Sequence, residues 1–70
     1  MRRDQVSSSN IRSIGYDTGS QTLEVEFLNG SVYQYYGVPT FLHDEMMRAP
    51  SKGRFLNQYI KNAYPYSRVG

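Results

Sequence analysis

"TLEVEFLNGSVYQYYGVP", residues 22–39, reads as two strands meeting at Asn29-Gly30. Leu23, Val25 and Phe27 alternate with Glu24 and Glu26, the period of a strand with one apolar and one charged face. "NG" marks a hairpin, and "SVYQYYGV" is the returning strand. A two-residue turn at Asn29-Gly30 pairs Glu24 with Tyr35 and Glu26 with Tyr33, leaving both tyrosines on the charged face. A three-residue loop with Gly30 in a left-handed bulge pairs Leu23 with Tyr35 and Val25 with Tyr33 instead. Slipping by one residue turns every side chain to the other face. Only the longer loop gathers Leu23, Val25, Phe27, Tyr33 and Tyr35 on one apolar face, so it is the expected register. It makes Tyr33 and Tyr35 core residues, exposes Glu24 and Glu26, and puts Tyr36 on the opposite face.

Upstream, Ile14 and Tyr16 stand two apart as in a strand, with Ile11 out of phase, which places a bulge or a later strand start there. "DTGSQ" is turn chemistry. Residues 1–8, "MRRDQVSS", have only Met1 and Val6 as apolar anchors and read as a flexible lead-in. Downstream, Pro39 suits a first helical position, and Leu42, Met46 and Ala49 recur at helical spacing before Pro50 stops the helix. Ser51 caps a second helix, "KGRFLNQYIKNA", with an apolar stripe of Phe55, Leu56, Tyr59, Ile60 and Ala63. The expected fold is α+β. It is a three-stranded antiparallel β-meander followed by two α-helices packed on one sheet face, a single domain over residues 9–69.

The chain of 70 residues carries seven Tyr and three Phe but no Trp. So small a domain has a thin core that large aromatics fill economically. The absence of Cys excludes disulfides, thiol catalysis and cysteine-ligated zinc. No apolar run approaches the roughly 20 residues of a membrane span. The expectation is a cytoplasmic monomer.

Net charge is +2, and its placement is more informative than its size. The last acidic residue is Glu45, whereas Arg48, Lys52, Arg54, Lys61 and Arg68 follow it. "SKGRF" is the most suggestive stretch. A helix start presents unpaired N–H groups and a partial positive charge, both suited to an anion. Ser51 adds a hydroxyl, Gly53 would admit a ligand to the backbone, and Lys52 and Arg54 add charge. Arg48 precedes them, and Lys61 lies about two turns on. The plain alternative is a capped helix with solvated charges. Tyr36 and Tyr66, the latter in "YPYSRV" beside Arg68, are the candidate base-stacking rings.

Catalysis is not expected. His43 is the one histidine; Asp44 and Glu45, being sequence neighbours, point apart on a helix and form no acid–base pair. Glu24 and Glu26 share a strand face but lack a third metal ligand. Neither metal nor cofactor is therefore expected.

In chain order, "SSSNIRSIGYD", "TLEVEF", "VYQYYGVP", "APSKGRFLN" and "IKNAYPYSRV" resemble the KTSC family. That small domain is named for the C-terminus of certain lysyl-tRNA synthetases and also occurs as a stand-alone bacterial protein. The resemblance covers about residues 7–69. His43 stands where the family usually has an aromatic, and Leu56 where Phe is frequent. The resemblance implies no established activity, and through its synthetase context it implies RNA, tRNA in particular, as partner. Together with "SKGRF" it gives the expected function: RNA binding through the basic second helix and its N-terminus. The alternative is a protein-binding adaptor using Tyr36 or an unpaired sheet edge.

Overall fold

The computed structural model describes residues 1–70. Its elements in chain order are β1 (Arg3–Gln5), β2 (Ile11–Asp17), β3 (Thr22–Phe27), β4 (Val32–Tyr36), α1 (Thr40–Arg48), α2 (Lys52–Phe55), a π-helical turn (Leu56–Ile60) and β5 (Tyr66–Arg68). The five strands form one antiparallel sheet in the order β1-β2-β3-β4-β5.

The β3–β4 hairpin takes the bulged register. Gly30 has φ +92°, a conformation open to glycine and strained for most side chains. The Gly30 N–H donates to the Phe27 carbonyl at 2.9 Å, and the Phe27 N–H donates to Ser31 O at 2.9 Å. Asn29 Oδ1 fixes the turn by accepting from Ser31 N at 3.0 Å and Ser31 Oγ at 2.6 Å. Leu23 therefore faces Tyr35, and Val25 faces Tyr33. The phase defect at Ile11 is also present: the β2–β3 register shifts between Ile11 and Ser13, so Arg12 bulges out and Ile11 joins the core.

Leu23, Val25 and Tyr35 are buried with Ile11, Ile14, Val38, Met46, Leu56 and Ile60. Tyr33 shares their face but is only half-buried, its ring edge-on to Phe27 at 5.8 Å. The helical segment covers Tyr35 and leaves the sheet beside Tyr33 open.

Tyr33 is thus not the core residue expected, and four further expectations are corrected. The sheet has five strands rather than three, because both chain ends pair with it. Arg3–Gln5, within the stretch expected to be a flexible lead-in, pairs with β2, and Tyr66–Arg68 pairs with β4. Neither segment carries an alternating apolar pattern; backbone pairing to an edge that is already formed recruits them. Secondly, Pro39 is the N-cap of α1, and Thr40 is its first helical residue. Thirdly, the second helix is one α-turn followed by a π-turn, in which the Lys61 N–H reaches the Leu56 carbonyl at 2.8 Å. Its buried residues are Gly53, Leu56 and Ile60, whereas Tyr59 and Ala63 face solvent.

Lastly, Glu24 and Glu26 are not free. Arg3 crosses the outer sheet face over Gly15, where its Cγ lies 2.7 Å from the place a Cβ would occupy. Its guanidinium lies 3.4 Å from Glu24 and 3.9 Å from Glu26. Gln34 donates to Glu24 at 2.8 Å, Ser13 donates to Glu26 at 2.9 Å, and the Tyr36 hydroxyl donates to Gln34 at 3.2 Å.

Two outcomes follow from the packing of the tyrosines. Tyr35→Ala should cost about 3–5 kcal/mol, in line with other large buried aromatics, and Tyr33→Ala clearly less. Equal losses in urea denaturation would contradict this. Burial, reinforced by the negative charge that ionised Tyr33 and Tyr66 would add, raises the Tyr35 hydroxyl above its ordinary value of 10.0. The fold thus favours the neutral phenol, and this contribution is complete below pH 10.0 and is lost as pH rises through the folded-state value. Tyr35→Phe should therefore move the midpoint of alkaline unfolding, followed by circular dichroism, to higher pH.

Candidate nucleic-acid interface

Ser51 caps α2 as its sequence requires: its Oγ accepts from the Arg54 N–H at 3.4 Å. The Lys52 ammonium turns back and donates to the Ala49 carbonyl at 3.0 Å. Gly53 is buried, and the place a side chain would take is filled by the carboxamide of Asn10. Asn10 is held there by Ser8, whose hydroxyl donates to Asn10 Oδ1 at 3.3 Å. Glycine at 53 thus serves the docking of the β1–β2 loop on the helix rather than the approach of a ligand. Cap and ammonium are both partnered within the chain, so this helix start is a weaker anion site than "SKGRF" suggests.

The charges sort differently. The ion pairs join Arg2 to Asp4 and Arg3 to Glu24 and Glu26, and His43 Nδ1 lies 3.6 Å from Asp44 Oδ1. Asp17 is engaged by Ser20 Oγ at 2.6 Å and Gly19 N at 3.3 Å, and the Ser20 bond foremost holds its pKa below 3.8. Arg12, Arg48, Lys52, Arg54, Lys61 and Arg68 take part in none of these pairs. Arg12, Arg48, Arg54, Lys61 and Arg68 are exposed. Arg12 and Arg48 are anchored by carbonyls, of Leu28 at 3.3 Å and of Asp44 at 3.4 Å, while Arg68 Nε donates to Gly70 O at 2.9 Å. A carbonyl orients a cation without neutralising it.

Of the two stacking candidates, Tyr36 lies on the outer face, half-buried and tied to Gln34. Tyr66 is 56 % exposed. It stands opposite Tyr35, with its ring 5.8 Å from those of both Tyr33 and Tyr35. Beneath it, between β4–β5 and the π-turn, runs a groove of about 400 Å³ lined by Tyr33, Tyr66, Asn29, Asn57 and Lys61 among others, and by no carboxylate. Sequence reasoning missed Asn57 and Asn29, because neither the π-turn nor the return of β5 beside β4 leaves a periodic signal. His43, at a position where the resemblance implies an aromatic such as Tyr, stacks on Tyr16 at 4.7 Å with the rings 10° from parallel.

A meander extended at both edges by the chain ends, with one helical layer over a single face, defines a small α+β architecture. The chain matches the KTSC domain over residues 7–64 and belongs to that family. It is 46 % identical to a KTSC domain protein of Yersinia pestis whose crystal structure is known. The two superpose with a TM-score of 0.92, covering 99 % of this chain and 97 % of that one. An uncharacterised protein of Stutzerimonas stutzeri is 43 % identical over 70 residues, 99 % of each chain. A lysine–tRNA ligase of Trichormus variabilis is 39 % identical over 59 residues, 84 % of this chain but 10 % of the ligase. No helix of the structure is long and apolar enough to cross a membrane.

The Gly53–Asn10 contact has a direct test. Gly53→Ala should destabilise by about 1–3 kcal/mol through overpacking, and Asn10→Gly in the same background should restore part of the loss. A Gly53→Ala variant melting like the parent would return Gly53 to the list of ligand-facing positions.

Proposed function

We propose that this protein is a non-catalytic RNA-binding domain, with tRNA the favoured class, that holds phosphates through the cations of its C-terminal third. The carrying observation is the charge partition. Asp4, Glu24 and Glu26 are engaged with Arg2 and Arg3, while Arg48, Arg54, Lys61 and Arg68 pair with no Asp or Glu side chain. Such cations add little to stability, and a phosphate backbone is the ligand that uses them. The similarity to part of a lysine–tRNA ligase supports the same reading. A binding role also accords with His43, whose ring is stacked on Tyr16 and lies beside Asp44.

On this reading the domain binds unstructured RNA at roughly 1–100 µM at physiological salt, the range of nonspecific phosphate contacts. Changing Arg54, Lys61 and Arg68 together to Gln should weaken all sequences alike. It should also flatten the slope of log affinity against log salt by about two units, at roughly 0.7 per single-strand contact. Absence of RNA binding at low salt, or an unchanged slope, would remove RNA as the partner. A protein bound with little salt dependence at the exposed edge of β5 would then become the leading account.

A further inference from the structure

We infer that the groove beneath Tyr66 is a pocket for one unpaired nucleotide. This deepens the RNA-binding reading and rests on it for the identity of the ligand, while the chemistry of the groove stands apart from the general charge.

Its volume of about 400 Å³ lies within the range of small-ligand clefts. It suits a single extruded base rather than a duplex. Tyr66 supplies a largely exposed ring at the mouth, and Tyr33 a half-buried one further in. An exposed tyrosine above a cleft gives a flat apolar partner to any base, since every base has a stacking face. The polar groups have the complementary character. Asn57 is exposed in the wall and offers both donor and acceptor. Asn29 has its Oδ1 taken by Ser31, which leaves its NH₂ to donate. Carboxamides and hydroxyls at such positions read base edges. Lys61 completes the set with a positive charge for the attached phosphate.

Other ligand classes fit less well. A cationic ligand meets no carboxylate in this groove. An apolar ligand would bury the Asn57 carboxamide and the NH₂ groups of Asn10 and Asn29 without partners. A bare anion would use Lys61 and leave the aromatic wall idle. Backbone geometry adds an independent sign. The helix lining this groove breaks into an i→i+5 turn at Leu56–Ile60, and Leu56, Asn57 and Lys61, in or bonded to that turn, line the cleft. Single π-turns within helices are frequently found at functional sites.

The test is an amide-shift titration of the whole chain with nucleoside monophosphates, inorganic phosphate and short unstructured RNAs, with Tyr66→Ala and Asn57→Ala as variants. Mononucleotides should shift Tyr33, Asn57, Lys61 and Tyr66, and inorganic phosphate should shift at most Lys61. Either variant should lower RNA affinity about five-fold or more, as loss of a base contact does. The salt slope should stay unchanged, because neither side chain is charged. Asn57 is exposed, so its variant tests the pocket even if Tyr66→Ala perturbs β5. RNA bound with shifts confined to the cations, and with neither variant affected, overturns the pocket and spares the general RNA reading. Mononucleotide binding in the groove without RNA binding does the reverse. Shifts from inorganic phosphate equal to those from a mononucleotide overturn the pocket by reducing it to an anion site.

Discussion

The left-handed turn at Gly30 is the constraint on which the other features depend. A β-strand repeats every two residues, so the loop length between β3 and β4 decides which side every later side chain faces. With Gly30 at φ +92°, Tyr35 lies opposite Leu23 and enters the core. The same parity carries across the next pairing, where Tyr66 lies opposite Tyr35 and Arg68 opposite Tyr33. The aromatic groove is thus a consequence of the turn. A shift of one residue would bring the tyrosines to Glu24 and Glu26 and leave the helices an apolar face of half the width.

The same parity separates the charges. Glu24, Glu26, Gln34 and Tyr36 fall on the outer face, where Arg3 joins them across the glycine at position 15. This face is partly shielded from water, so its ion pairs are worth more than fully exposed ones. Its satisfaction is nearly complete: only the Arg3 Nη1 is buried without an acceptor. Because Glu24 and Glu26 are engaged by Arg3, they leave the cations of the C-terminal third their field. A modest net charge of +2 accordingly conceals a much less even distribution.

Sequence made the central hairpin legible because three signals agreed there: alternation in "TLEVEF", the Asn-Gly turn and the parity of the tyrosines. It also exposed the bulge near Ile11, since a phase error in a strand has few other causes. The outer strands left no such trace. "RDQ" and "YSR" are held by backbone pairing to an existing edge, and their side chains carry no period of two. The π-turn was equally silent, because Leu56 and Ile60 fit an α-helical stripe as well as they fit the observed one. At the helix start, "SKGRF" showed the cap correctly but not its neighbour. Whether a glycine admits a ligand or a side chain of the same protein depends on what packs from elsewhere in the chain, and here that is Asn10.

Burial divides the lining of the groove unevenly. Tyr35 and Leu56 form its floor and belong to the core, whereas Asn57, Lys61 and every residue of β5 are exposed. Changes at Leu56 or Tyr35 are constrained by the fold itself. Changes at Tyr66 and Arg68 meet little packing and can alter what the groove accepts without altering the register that forms it. The groove thus joins a floor fixed by folding to a wall that packing leaves free to vary.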